Sequence, residues 1–197
     1  MSTERRLFGF YLDMTVKQRI HHLMGHYQHR DYYEQAYRRY IEGLIVDIRS
    51  YERSRGSDAG VRIMSGGSFS DITSRNADEA LLASRAFDSG TVSETVVKDK
   101  EDRLMINAAM SEWLLIRDDY DSLNRALWML EPSEHDLIMD FLSRKKSYKD
   151  IADDFMIEYD SARKKLQRIR SRVVKLAAPD FERHCSGRGR RRSEVAG

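Results

Sequence analysis

The chain has little of what ends helices or cross-links small folds. Its 197 residues contain two prolines, eleven glycines and one cysteine. A lone cysteine, Cys185, excludes an internal disulfide and fits a reducing compartment, so we predict a cytoplasmic protein. Scarce proline and glycine, combined with 34% charged residues, favour helices. The predicted fold class is all-α.

Long apolar runs and catalytic constellations are also missing. No stretch of about 18 apolar residues occurs, so we expect no membrane partner. The first residues, MSTERRLFGFYLDM, lack the apolar segment and cleavage site of a signal peptide. His135 stands alone, and neither a Ser-His-Asp nor a Cys-His arrangement is supported. We therefore predict that the protein is not an enzyme and needs no cofactor.

Charge is divided unevenly along the chain. Residues 1–140 carry 18 Lys or Arg and 24 Asp or Glu, a net −6, whereas residues 141–197 carry 16 and 8, a net +8. The two values sum to the overall +2. A basic C-terminal part joined to an acidic N-terminal part indicates that the C-terminal part binds a polyanion. Solvated helix faces followed by a basic tail would give the same net charges.

The first 130 residues have the spacing of long amphipathic helices. Residues 14–30 predict a short helix, and residues 31–55 predict a longer one. Large residues of the longer helix form one stripe: Tyr33, Tyr37, Tyr40, Leu44, Ile48 and Tyr51. The Gly- and Ser-rich residues 56–76 predict a loop. A short helix capped by Ser74 or Asn76 follows, and a long helix then runs from Ser93 to Leu130.

Two long helices joined by a loop indicate an antiparallel hairpin, or a coiled coil that forms a homodimer or higher oligomer. The seam predicted for the second long helix includes Leu104, Met105 and Trp113. We expect residues 1–130 to form this dimerisation or interaction region.

A compact three-helix module is predicted over residues 131–177. Pro132 suits the start of its first helix, and Ser147 suits the cap of its second. Ile151, Ala152 and Phe155 are expected to face inward, with Ile157 as a buried anchor in the turn. The third helix should begin near Tyr159 and bury Ala162, Leu166, Ile169, Val173 and Leu176. Residues 178–197 form a basic tail that we expect to be disordered.

The opposite face of the third helix carries groups that suit a DNA groove. Lys and Arg reach phosphates or guanine, and Gln pairs with adenine. The candidate DNA-binding residues of the module are Ser147, Lys149, Tyr159, Asp160, Ser161, Arg163, Lys164, Gln167, Arg168 and Ser171.

The run RALWMLEPSEHDLIMDFLSRKKSYKDIADDFMIEYDSARKKLQRI resembles the sigma-factor region that binds the −35 promoter element, most closely the extracytoplasmic-function type. Ile151-Ala152, Phe155, Ile157 and Ser161-Ala162-Arg163 carry this resemblance. With the long helix ending YIEGLIVDIRSYE and the SGGSFSD loop, the layout is similar to ArpU-type regulators of phages and prophages. The resemblance implies a helix-turn-helix, double-stranded DNA and RNA polymerase as partners, late-gene control and a bacterial host cytoplasm.

Three residues depart from that pattern. Glu158 stands where a capping Ser is common, Met156 where a turn Gly or Asn is common, and Asp160 where phosphates would approach. Two other functions therefore stay open: a DNA-recognition subunit of a phage packaging motor, and a polymerase-interacting protein without DNA binding. Four histidines, His21, His22, His26 and His29, form a cluster that favours a half-exposed polar face over a metal site.

Overall fold

The computed structural model confirms the all-α fold. It describes residues 11–57 and 70–195, with side chains for 11–55 and 80–184, and this part contains no strand. The helices are α1 (Val16–Gly25), a 3₁₀ turn (Tyr27–His29), α2 (Arg30–Ser57), α3 (Ser70–Ser89), α4 (Lys100–Trp128), α5 (Pro132–Leu142), α6 (Tyr148–Asp154) and α7 (Tyr159–Val195). None of these helices has the length and apolarity needed to cross a bilayer.

The chain divides into two compact units. The first unit comprises residues 1–32 and 115–197, and the second comprises residues 33–114. This division differs from the predicted boundary near residue 130. The physical reason is that α1 and the second half of α4 share a core with the C-terminal helices, which a reading along the chain does not reveal.

The first unit is held together by one continuous apolar core. Ile20 and Leu23 of α1 and Leu123 and Leu127 of α4 are at most 2% exposed. They belong to the same cluster as Ile138 of α5, Ile151 of α6, and the seam of α7. The start of α1 is fixed by a capping box, in which the Thr15 hydroxyl and the Gln18 side chain each bond the other's backbone N–H.

The second unit buries only part of the predicted stripes. Tyr37, Ile41 and Ile45 of α2 are at most 5% exposed, whereas Tyr40 is 39% and Tyr51 64% exposed. On α4 the predicted Leu104 and Met105 are also exposed. The buried residues on this part of α4 are Ile106, Met110 and Trp113, of which Trp113 was predicted. The prediction was confirmed for Tyr37 and Trp113. It was wrong for Tyr40 and Tyr51 because a tyrosine carries a polar tip and tolerates the surface.

Two helix starts also differ from expectation. Helix α3 begins at Ser70, so Ser74 and Asn76 lie inside it, and much of the expected 56–76 loop falls in residues 58–69, outside the described residues. Helix α4 begins at Lys100 because Asp99 precedes it as a cap: its Oδ1 accepts the N–H groups of Glu101 and Asp102 at 2.8 and 3.1 Å.

Candidate nucleic-acid interface

Both ends of helix α5 are set by residues at or next to those ends. Pro132 lies in its first turn, where a missing N–H is harmless, and Leu137, Ile138 and Leu142 are buried. Past its end, Arg144 is left-handed with φ 53°. The N–H of Lys145 then donates to the Asp140 carbonyl at 2.9 Å, which closes the last turn.

Helix α6 has the predicted Ser147 cap. Ser147 Oγ accepts the Asp150 N–H at 3.3 Å, and the Ser147 N–H donates to Asp150 Oδ2 at 2.7 Å. The Ser147 N–H and the Ser147 hydroxyl both donate to the Asp150 carboxylate, and these two bonds lower its pKa. Lys146 ties α6 to α5, since its Nζ lies 2.9 Å from Asp154 and 3.3 Å from Asp140. The Ser147 cap and the ion pairs of Lys146 therefore both hold the start of α6 in place.

The turn between α6 and α7 repeats the closure that ends α5. Met156 is left-handed with φ 48°, and the Ile157 N–H donates to the Ala152 carbonyl at 3.0 Å. Ile157 is half-buried and packs against the core of the first unit. Phe155, expected inside, is 44% exposed, and Lys165 Nζ lies 3.7 Å from its ring centre. The inward prediction was wrong for Phe155 because α6 ends at Asp154, so Phe155 lies in the turn and is exposed.

Helix α7 begins at Tyr159, as predicted, and its buried seam is nearly the predicted one. The Glu158 carbonyl accepts the N–H groups of Ser161 and Ala162, which opens the helix. Along the seam, Ala162, Leu166, Ile169 and Val173 are at most 2% exposed. Leu176 is half-buried, and Ala177 takes the core position beside it.

The seam continues beyond the predicted module. Phe181 is 0% exposed, and helix α7 extends to Val195. Residues 178–195 are therefore helical rather than a disordered tail. The sequence does continue the helical spacing, since Ala177 lies four residues after Val173 and Phe181 lies four residues after Ala177. The Gly- and Arg-rich composition of residues 186–192 nevertheless led to the prediction of disorder.

A buried ion pair fixes α1 against this extension. Arg19 Nη2 lies 2.8 Å from Asp119 Oδ2, with the two side chains 1% and 0% exposed. Arg19 also donates to the Phe181 carbonyl at 3.2 Å, and Tyr11 donates to Asp119 at 2.8 Å. His184 Nδ1 lies 2.8 Å from the other Asp119 oxygen. Burial raises the pKa of Asp119, and the contacts with His184 and Arg19 oppose that rise.

The exposed face of α7 is a basic strip opposite the seam. Its side chains line a shallow groove of about 500 Å³: Lys164, Gln167, Arg168, Ser171, Arg172 and Lys175. Arg172 and Lys175 were missed by the sequence analysis, although they lie four residues after Arg168 and Ser171 on the same face. Arg172 pairs with Glu134 of α5, so Lys175 is the stronger addition.

The remaining candidate DNA-binding residues differ in exposure and in whether their polar groups already form hydrogen bonds. Lys149, Asp160 and Arg163 are exposed. Tyr159 is 53% exposed and meets Tyr148 edge to face, with ring centres 6.0 Å apart. Ser161 lines a second depression between α5 and α7. The Ser147 hydroxyl is engaged in its cap, and Ser171 Oγ donates to the Gln167 carbonyl at 2.9 Å.

The histidines do not form a metal site among the described residues, where no three His, Cys, Asp or Glu side chains converge. His22 and His26 pack ring against ring at 4.4 Å, and His26 Nδ1 lies 2.8 Å from the His22 carbonyl. Burial lowers the pKa of His22, and His26 lowers it further. Burial lowers the pKa of His21, and the charges of Arg170 and Lys17 lower it further.

Comparison of the chain with protein-family models, curated proteins and solved structures finds no match to any of them.

Proposed function

We propose that the protein is a sequence-specific DNA-binding transcriptional regulator of phage or prophage type. In this proposal α6 and α7 are a helix-turn-helix, α7 lies in the major groove of double-stranded DNA, and the protein acts at promoters with RNA polymerase on late genes. The observation that carries the proposal is the basic strip of α7, which lies opposite a fully buried seam.

The geometry of α7 supports groove binding. The start of α7 is held in place in two ways. The capped helix α6 precedes it, and Ala162 and Leu166 of its first turns are buried in the core. A rigidly held helix can place Gln167 and Arg168 at defined heights along a groove, which base contacts require. Lys164, Arg168 and Lys175 supply positive charge along about three turns of that helix.

The experiment begins with selection of bound fragments from host and phage DNA by the tagged full-length protein, followed by footprinting. Affinity for the recovered site is then measured by fluorescence anisotropy as a function of salt. Each lost phosphate contact lowers the binding constant about fivefold at about 0.15 M salt, since the salt exponent is about 0.9 per contact. The K164Q/R168Q variant should therefore bind about thirtyfold more weakly than the wild type.

A matched control changes charge equally without touching the strip. K98Q/K100Q removes two exposed lysines of the second unit, and we expect its affinity to equal that of the wild type. Equal losses in both variants would reduce the interaction to non-specific attraction and refute the proposed recognition helix. Point variants are preferable to removal of residues 132–197, because that segment forms much of the first unit's core.

The position of the footprint tests the biological role. Protection near transcription start sites, with co-purification of RNA polymerase, supports regulation. Protection confined to a packaging site, with a ring-shaped oligomer in solution, would replace it with the packaging function. Absence of DNA binding at low salt would replace both with a polymerase-interacting protein.

A further inference from the structure

A second group of cations lies where α1 packs beside α7. Lys17 and His21 are one helical turn apart on α1 and both are exposed. Helices α1 and α7 pack against each other in the core of the first unit. Burial lowers the pKa of His21, and the charges of Arg170 of α7 and of Lys17 lower it further. We call Lys17, His21 and Arg170 the α1–α7 cluster.

The cluster has no acidic partner in the part of the chain that the structure describes. Lys17, His21 and Arg170 make no ion pair there, and Arg170 Nε is buried without an acceptor. Some other surface cations of the same unit have acidic partners: Arg125 pairs with Asp180, and Lys146 pairs with Asp140 and Asp154. Three neighbouring basic side chains without an acid beside them form a surface whose charge an anionic ligand can neutralise.

The cluster also adjoins the basic strip. On α7, Arg163, Gln167 and Arg170 follow each other at steps of four and three, so they form one ridge. That ridge borders the strip at Gln167, which belongs to both. The α1–α7 cluster therefore extends the positive surface sideways from the strip, across to a different helix.

The position of α1 is fixed rather than adjustable. Arg19, between Lys17 and His21 in sequence, is tied to Asp119 and to the Phe181 carbonyl in the core. Ile20 and Leu23 are buried beside it. A cluster on so firmly held a helix is preorganised for a ligand with defined spacing, which is a property of a nucleic-acid backbone.

We propose that Lys17, His21 and Arg170 bind DNA backbone phosphates flanking the groove in which α7 lies. The inference rests on the proposed function and assigns a DNA-contacting role to α1, outside the helix-turn-helix. A phosphate beside His21 favours its protonated form, whereas burial and two neighbouring cations lower its pKa in the free protein.

The direct test uses the full-length K17Q variant with the footprinted site. Loss of one phosphate contact should weaken binding about fivefold at about 0.15 M salt and reduce the salt exponent by about 0.9. K100Q, an equal change of charge in the second unit, should change neither quantity. Circular dichroism checks that the variants keep their helices.

A pH series isolates His21. Because bound phosphate raises the imidazole pKa relative to free protein, affinity should increase as pH falls from about 8 to 5.5, with proton uptake on binding. H21Q should remove that part of the increase. His22 and His26 of the same helix remain in both proteins, so the difference between wild type and H21Q reports His21, on which the charges of Lys17 of α1 and Arg170 of α7 act.

The two proposals fail in different ways. If K164Q/R168Q loses affinity while K17Q and H21Q match the wild type in salt exponent and pH profile, the α1–α7 cluster is not a phosphate site and the recognition helix stands. If the wild type binds no DNA at low salt, both proposals are overturned together.

Discussion

Replacing Phe181 with alanine tests whether α7 beyond residue 177 is part of the core. The ring is 0% exposed, and the Arg19 guanidinium lies 5.2 Å from its centre. Removing a fully buried phenyl group leaves a cavity and forfeits the cation–π contact, so we expect a loss of about 4 kcal/mol. That is a large share of the roughly 5–15 kcal/mol that stabilises an ordinary protein.

The measurement is urea denaturation followed by circular dichroism, with hydrogen exchange to locate the change in the amides of α7. F155A is the matched control: it removes the same phenyl group from a residue that is 44% exposed, and should cost about 1 kcal/mol or less. A disordered tail would make F181A the milder of the two. Equal effects within about 1 kcal/mol would refute the packing described for Phe181.

Two further predictions concern the backbone and the buried charges of the first unit. D119N leaves Arg19, 1% exposed, without its ion-pair partner, so the free energy of unfolding should fall by about 3–5 kcal/mol in the same urea experiment. M156G should raise stability by up to about 1 kcal/mol, measured as a higher thermal midpoint, because Met156 is left-handed and 94% exposed and loses little packing. A lower midpoint for M156G, or no loss for D119N, would contradict these assignments.

The C-terminal helices could be predicted closely because their boundaries are set by adjacent residues. Pro132 and Ser147 act within a single turn of their own position, and each starts a helix where the sequence placed it. The buried seam of α7 follows the same local rule, with a step of three or four between core residues. Both the residues that start helices and the helical spacing of core residues can be read from a single sequence.

The stripe of α2 could not be predicted in the same way. Tyr37 and Tyr40 are chemically identical, yet one is buried and the other 39% exposed. What distinguishes them is a partner far along the chain: the Tyr37 hydroxyl interacts with the buried carboxyl of Glu112. The burial of Arg19 and Asp119 could not be predicted for the same reason. A charged residue is expected to lie at the surface until its partner, here 100 positions away, is known.

Asp160, for which the sequence left open a specific base or protein contact or an obstacle to tight DNA binding, has a structural role of its own. It lies in the first turn of α7, where the helix dipole is positive and a carboxylate contributes about 0.3–1 kcal/mol. The basic strip begins one turn later, at Lys164, and extends away from Asp160 toward Lys175. The acid therefore lies at one end of the strip rather than among its cations. In the proposed complex with DNA, Asp160 would leave phosphate contacts along the rest of the strip possible, and the number of those contacts would set the salt dependence of binding.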